Sequence, residues 1–265
     1  MGELKKRLVA SFCIAPFIAS AFYFLPDTWF SIMLLLIALI AIFELASMSG
    51  TDERYVLLVL TVLCIIPLYF KLFFYYAGCL LFVPLIFLIY KIMKGESKKP
   101  GINEGILKGI FIFFIGEIFV IFPLYHLSLL KQTGLSVPFI LLLTIWASDT
   151  CAYLLGKNFG KRRLVPLISP KKTYEGLFGA ILGSTMIIML SAKTMGIGLQ
   201  EASIIGIIMG ILAQAGDILE SAGKRVCAAK DSSGLIPGHG GILDRMDSFM
   251  FTAPFLYHYL NGVKL

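Results

Sequence analysis

Apolar residues occupy long stretches of the chain, and only short polar segments separate them. Several of these stretches approach the roughly 20 residues that a helix needs to cross a bilayer. The polar segments are too short to form a soluble domain. The pattern predicts an all-α fold, a polytopic membrane helix bundle of about nine transmembrane helices. We expect one membrane domain over residues 1–265, with an apolar helical scaffold in residues 1–130 and the chemistry in residues 131–265.

Composition and charge agree with a membrane protein. Hydrophobic residues make up 58% of the chain, and only 15% of the residues are charged. If the N-terminus is cytoplasmic, 19 of the 23 Lys and Arg residues fall on the cytoplasmic side, as the positive-inside rule requires. Basic residues in these loops set topology and can meet anionic headgroups. The net positive charge therefore indicates no nucleic-acid partner.

The densest group of polar residues lies within residues 213–248. Read as a helix, Asp217 is followed by Glu220, Ser221 and Lys224 at spacings of three, four and seven residues. Side chains at these spacings share one helix face. A polar face of this kind beside apolar membrane segments indicates function, because such groups are costly to keep there.

Two further aspartates follow a break in the helix. The proline and glycines of residues 237–241 end any helix, and Asp244 and Asp247 then recur at a helical spacing of three. Asp217, Asp244 and Asp247 can therefore converge from two helix ends. Hard cations such as Mg²⁺ prefer oxygen ligands of this kind, usually shared with substrate phosphates. The pattern predicts a divalent-cation site on these three carboxylates.

Basic residues and a glycine-rich loop accompany the carboxylates. Lys and Arg suit phosphate oxygens, and backbone N–H groups ahead of a helix can hold an anion. The residues concerned are Lys224, Arg225, Lys230, Arg245, Gly240 and Gly241. The combination indicates phosphoryl or nucleotidyl transfer. A solvated loop whose charges only set topology is the alternative, but topology has no use for paired aspartates or a His-Gly-Gly sequence.

A second polar stretch covers residues 146–176. Asp149 lies near the predicted cytoplasmic end of a helix, and the segment 169–173, Ser-Pro-Lys-Lys-Thr, precedes another helix. Ser, Thr and Pro are typical of a helix start, so capping alone explains part of this segment. Asp149, Lys171 and Lys172 remain as the functional candidates.

These motifs resemble a known family. Ser221-Ala-Gly-Lys-Arg, Lys230-Asp231, Pro-Gly-His239-Gly-Gly and Asp244-Arg-Met-Asp247 are similar in sequence and spacing to the signature of phosphatidate cytidylyltransferases, also called CDP-diacylglycerol synthases. The Ser-Pro-Lys-Lys-Thr-x-Glu-Gly segment is similar to another family motif. Gly223 and Cys151 depart from the pattern, at positions that affect packing more than chemistry. The resemblance covers residues 146–248.

The resemblance implies transfer of a cytidylyl group from CTP to phosphatidate, which gives CDP-diacylglycerol and diphosphate. It implies Mg²⁺ or another divalent cation on the three aspartates, and it leaves a second cation open. Lys224 and His239 join those aspartates as expected catalytic residues. The expected substrate-binding residues are Lys171, Lys172, Ser221, Arg225, Lys230, Asp231, Gly240, Gly241, Arg245 and Asp149.

The expected setting is a bacterial inner (plasma) membrane, with the active site at the cytoplasmic face. The partners are then CTP, phosphatidate and the lipid bilayer, without nucleic acid. A homodimer is compatible with the sequence, which does not fix the oligomeric state.

Other functions and other polar residues stay open at this point. A CTP-dependent polyprenol or lipid kinase shares parts of the motif, and a secondary transporter also uses broken helices and intramembrane carboxylates. Glu44 and Glu117 lie in or near apolar segments, where each either hydrogen-bonds between helices or has a function. His126 and His258 are expected to be structural.

Overall fold

The computed structural model describes residues 16–51, 54–70, 72–93, 102–235 and 240–262. Helices dominate these residues, and the first described helix, α1, covers residues 16–24. The remaining elements are α2 (Asp27–Met48), α3 (Arg54–Tyr69), α4 (Phe73–Met93), α5 (Ile102–Gly116), a π-helical turn (Glu117–Ile121), α6 (Phe122–Thr133), α7 (Val137–Phe159), β1 (Arg163–Val165), β2 (Ser169–Thr173), α8 (Tyr174–Leu190), α9 (Ala192–Met195), α10 (Leu199–Val226), a 3₁₀ turn (Leu243–Arg245) and α11 (Phe249–Gly262).

Five helices in the described part of the chain are long and apolar enough to cross a membrane. They are Asp27–Met48, Phe74–Lys91, Ile106–Thr133, Val137–Phe159 and Leu199–Val226. The third of these runs without a break from α5 through the π-helical turn into α6. Two further apolar helices, α3 and α8, are shorter. The prediction of a helical protein with several membrane-length helices is confirmed.

A short β-hairpin interrupts the helices, which the all-α prediction did not include. Strands β1 and β2 pair antiparallel, with Arg163 opposite Thr173 and Val165 opposite Ser169. The sequence predicted a helix start in the segment 169–173, and this is confirmed at Thr173, the last residue of the segment. The Thr173 hydroxyl accepts a hydrogen bond of 3.0 Å from the Gly176 N–H and caps α8. The residues before Thr173 are extended.

Small residues let α7, α8 and α10 pack closely. A Cβ at Gly183 of α8 would overlap the backbone of Ala147 in α7, and a Cβ at Gly206 of α10 would overlap Thr185 of α8. The Ser184 hydroxyl also donates to the Gly206 carbonyl at 2.7 Å. Close backbone approach of this kind is typical of helix pairs in membranes. It fixes three polar positions relative to one another: the end of α7, the hairpin and the end of α10.

Polar contacts also join helices in the rest of the bundle. The Tyr76 hydroxyl donates to the buried Glu117 carboxylate at 3.2 Å. His126 of α6 and His258 of α11 lie 3.2 Å apart between their Nε2 atoms, so the two histidines that were expected to be structural contact each other. Glu117 lies in the π-helical turn, a local distortion that shifts the helix register.

Candidate active site

Three carboxylates from α10 and the segment before α11 come together. One oxygen from each of Asp217, Glu220 and Asp247 lies within 4.8 Å of the other two. Asp217 and Glu220 share a face of α10 because they are three residues apart. Asp247 reaches them because Gly216 has no side chain: a Cβ there would overlap the Asp247 carbonyl. This donor set of three carboxylates fits a hard divalent cation.

Lys172 lies directly against this cluster. Its ammonium group is 2.7 Å from Asp217 and donates to the Gln214 side-chain oxygen at 2.9 Å. Successive side chains of a strand point to opposite faces, so Lys171 points away and is exposed. The hairpin therefore delivers one of the two predicted lysines to the carboxylates.

The surroundings of the Asp247 carboxylate favour binding of a cation. It lies before the start of α11, where burial and then the like charges of Asp217 and Asp149 raise its pKa. The charge of Asp149 on α7 therefore acts on Asp247, and a role of Asp149 in substrate binding stays a prediction. Excess negative charge of this kind is relieved when a cation binds. The charges and the donor set are therefore chemically suited to a divalent cation.

Asp244 has different partners from those expected of a metal ligand. Its carboxylate accepts hydrogen bonds from Lys224 at 2.8 Å, from the Gly241 N–H at 2.8 Å and from the Ser232 N–H at 3.0 Å. Burial works to raise its pKa, but hydrogen bonds with Lys224, with Glu220 and with these backbone groups lower it to about 2. Asp244 does not belong to the three carboxylates whose oxygens lie within 4.8 Å of one another, so the geometry favours Glu220 over Asp244 as the third carboxylate of the cluster.

Lys224 connects the two groups of acidic residues. Its ammonium group lies 2.6 Å from Glu220 and 2.8 Å from Asp244. Two carboxylates already engage this lysine, which the sequence predicted to contact phosphate. Glu220 was not among the predicted site residues, although its spacing from Asp217 on α10 was the signal that could have found it.

The other predicted residues lie at varying distances from the cluster. The Ser221 hydroxyl donates to Asp217 at 3.3 Å. Arg225 donates to the carbonyls of Ile168 and Ala229 at 3.3 Å, so it joins the hairpin turn to the end of α10. Lys230, Asp231 and Arg245 are exposed. His239 lies outside the described residues.

The two glycines of the predicted phosphate loop have distinct structural roles. Gly240 has a φ of 80°, in the left-handed region that favours glycine. The Gly241 N–H donates to Asp244 and not into open space. A Cβ at Gly241 would overlap both the Ser232 hydroxyl and the Glu44 carboxylate. Glu44 of α2 therefore reaches this loop from the half that was predicted to be a scaffold, a contact that sequence reasoning did not find.

An apolar cavity of about 570 Å³ adjoins the cluster. Its walls come from α2, α5, the π-helical turn and α10, with Glu220 on one side and Lys108 on another. Gly223 lies in its wall, and a Cβ there would meet open space. Ligand cavities typically measure about 300–1,000 Å³, so this cavity can hold part of an apolar ligand next to the carboxylates.

Comparison with known proteins identifies similar sequences. The model of the cytidylyltransferase family matches residues 5–263. A phosphatidate cytidylyltransferase of Bacillus subtilis is 44% identical over 133 residues, which are 49% of each chain. One of Synechocystis is 45% identical over 130 residues, which are 48% of this chain and 44% of the relative. The uncharacterized protein YnbB of Escherichia coli is 36% identical over 194 residues, or 69% of this chain and 63% of that protein. The chain spans about half the length of the curated phosphatidate cytidylyltransferases it matches.

Proposed function

The chain belongs to the cytidylyltransferase family, and we propose that it transfers a cytidylyl group from CTP to phosphatidate. The observation that carries this proposal is the position of Lys172, 2.7 Å from Asp217 at the edge of three clustered carboxylates. A cation site and a fixed ammonium group side by side suit a reaction between two phosphates.

The proposed reaction forms one P–O bond and breaks another. An oxygen of the phosphatidate phosphate attacks the α-phosphorus of CTP, and the bond between that phosphorus and the bridging oxygen to the β-phosphate breaks. CDP-diacylglycerol and diphosphate are the products. The lipid phosphate is anionic at neutral pH and needs no strong base. The main barrier is repulsion between two anions, which preorganised positive charge lowers.

Each residue of the cluster has a proposed part in lowering this repulsion. Asp217, Glu220 and Asp247 would hold Mg²⁺ or another divalent cation, which when bound neutralises phosphate charge. Lys172 faces the same place and would bind a phosphate oxygen. Asp149 lies close enough for its charge to act on Asp247, and Lys224 holds Glu220 in place.

We propose that the cavity beside Glu220 receives an acyl chain of the lipid substrate. Apolar side chains such as Leu45, Ile112 and Met250 line it, so an acyl chain could pass from the bilayer into this cavity without exposing its methylene groups to water. Lys108, exposed at the edge of this cavity, would meet the anionic headgroup region. This arrangement places the phosphate of the lipid next to the carboxylates.

The proposed topology has nine spans and a cytoplasmic N-terminus. The five membrane-length helices supply five spans, and α1, α3, α8 and α11 supply the shorter four. This topology puts the hairpin and the end of α10 on the cytoplasmic side, where CTP is available. The proposed location is the inner membrane of a bacterium, and a homodimer is compatible with this arrangement.

The test uses the full-length protein, purified in detergent, with phosphatidate, radiolabelled CTP and Mg²⁺. We expect equal amounts of diphosphate and labelled CDP-lipid, and we expect loss of both after chelation of the metal. Asp247→Asn should abolish both products. Asp27→Asn, the same change in the first turn of α2, is the matched control and should retain activity. Release of CDP with a phosphorylated lipid would instead indicate a CTP-dependent kinase.

A further inference from the structure

Glu44 is a buried acidic residue near the C-terminal end of α2, with 4% of its surface exposed. One oxygen accepts hydrogen bonds from the Ser233 hydroxyl at 2.5 Å and the Ile242 N–H at 3.1 Å. The other accepts from the Ser232 hydroxyl at 3.0 Å and the Leu243 N–H at 2.9 Å. Four donors compensate for the cost of burying the carboxylate.

These donors belong to the segment that carries Asp244. Ser232 contacts both acids, because its hydroxyl lies 3.0 Å from Glu44 and 3.1 Å from Asp244. Asp244 in turn contacts Lys224, and Lys224 contacts Glu220 of the carboxylate cluster. A continuous series of direct polar contacts therefore joins Glu44 to the cluster.

Gly241 is the residue that allows this contact. Any side chain at this position would collide with the Glu44 carboxylate and the Ser232 hydroxyl. Its N–H donates to Asp244, so this backbone group forms a hydrogen bond within the protein. The close approach of Glu44 therefore explains why position 241 requires glycine. A bound phosphate is not needed to explain it.

We propose that Glu44 is a positioning residue for the reaction. Its hydrogen bonds anchor the Ser232 and Ser233 hydroxyls and the backbone of Ile242 and Leu243. This anchor holds Asp244, and through it Lys224 and Glu220, in the arrangement that the site requires. Glu44 itself touches neither substrate. The kinetic part of this inference rests on the proposed function, whereas the anchoring part does not.

Glu44→Gln is the variant that tests this inference. Each carboxylate oxygen of Glu44 receives one hydroxyl and one backbone N–H. The hydroxyls of Ser232 and Ser233 can turn and accept from an amide NH₂ group, but a backbone N–H cannot. In either amide orientation, Gln therefore leaves the Ile242 or Leu243 N–H facing another donor. The side-chain volume hardly changes.

Two further variants keep the test decisive. Glu117→Gln makes the same change at another buried glutamate, which lies outside the segment and hydrogen-bonds Tyr76. Ser232→Ala removes the hydroxyl shared by Glu44 and Asp244 and serves if Glu44→Gln does not fold. We expect it to shift the same measurements in the same direction by a smaller amount.

The measurements are amide hydrogen exchange of residues 240–248 and steady-state kinetics, made on full-length protein in detergent. In Glu44→Gln we expect several-fold faster exchange in this segment and a kcat lower by about 10-fold or more, with KM for CTP nearly unchanged. Glu117→Gln should leave both at the wild-type values.

Unchanged exchange in Glu44→Gln would overturn the anchoring. Faster exchange with a wild-type kcat would reduce Glu44 to a structural residue and overturn its role in the reaction. If the wild-type protein makes no CDP-lipid, the proposed function fails, and the exchange comparison still decides whether Glu44 anchors the segment.

Discussion

The ammonium group of Lys172 lies 2.7 Å from the carboxylate of Asp217. One residue belongs to a two-stranded hairpin and the other to the long helix α10, so this ion pair joins two parts of the site that are distant in sequence. The adjacent Lys171, with the same charge, is exposed on the opposite face of β2.

Lys172→Met should therefore lower activity far more than Lys171→Met. Loss of one preorganised positive group at a charge-developing site costs about 10²–10³-fold in kcat. Lys171→Met removes the same charge from the same segment and is therefore the matched control. We expect it to lower kcat by less than about 10-fold. The rate of diphosphate release measures both. Equal losses would show that the strand face does not distinguish the two lysines.

Glu220 and Asp244 should differ in how they affect the metal requirement. Glu220 belongs to the carboxylate cluster, so Glu220→Gln should raise the Mg²⁺ concentration for half-maximal activity by about 10-fold or more. Asp244 holds Lys224, so Asp244→Asn should lower kcat at every Mg²⁺ concentration. Titration of activity with Mg²⁺ distinguishes the two effects. A raised Mg²⁺ requirement in Asp244→Asn alone would make Asp244 the ligand and exclude Glu220.

Asp244 should also make stability depend on acidic pH. Its pKa falls from an ordinary 3.8 to about 2 in the folded protein. A lowered pKa stabilises the folded state above pH 4, and this stabilisation is lost as the pH falls from about 4 through 2. This pKa shift corresponds to a contribution of about 2 kcal/mol to the free energy of unfolding. Thermal unfolding in detergent between pH 5 and 2 should show a steeper loss in wild type than in Asp244→Asn, and parallel curves would contradict this assignment.

Gly223→Leu should change the preference for acyl-chain length. Gly223 lies in the wall of the cavity of about 570 Å³, and a Cβ there meets open space. A leucine would fill part of this space, so we expect long-chain phosphatidates to lose several-fold more kcat/KM than short-chain ones. Gly78→Leu is the control, because a Cβ at Gly78 also meets open space but lies in α4, away from this cavity. An equal loss for all chain lengths would place the acyl chain elsewhere.

The sequence predicted the parts of the site that depend on local spacing. The helical interval between Asp217 and Glu220 is short-range information, and the structure places both on the same face of α10. The family resemblance is also confirmed, since it depended on contiguous motifs. The roles of the predicted site residues in binding and catalysis stay predictions.

The sequence could not predict the contacts that depend on distant partners. The strand conformation of residues 169–173 depends on pairing with residues 163–165, and the Ser-Pro sequence alone favours a helix start. Glu44 is a single acid in an apolar segment, and its partner Ser232 lies 188 residues later. Local patterns contain no information about such a pair. The exchange of Asp244 for Glu220 as the favoured third carboxylate has the same origin, because Lys224 and Gly241 engage Asp244 only in the folded chain.

The contact between Glu44 and Gly241 has a consequence for protein engineering. Residues 1–130 and 131–265 look like separable modules in the sequence, because the recognisable motifs lie entirely in the second. The Glu44 carboxylate of the first half nevertheless occupies the space that a side chain at position 241 of the second half would need. A chimera that joins the first half of one relative to the second half of another must therefore preserve this complementary pair.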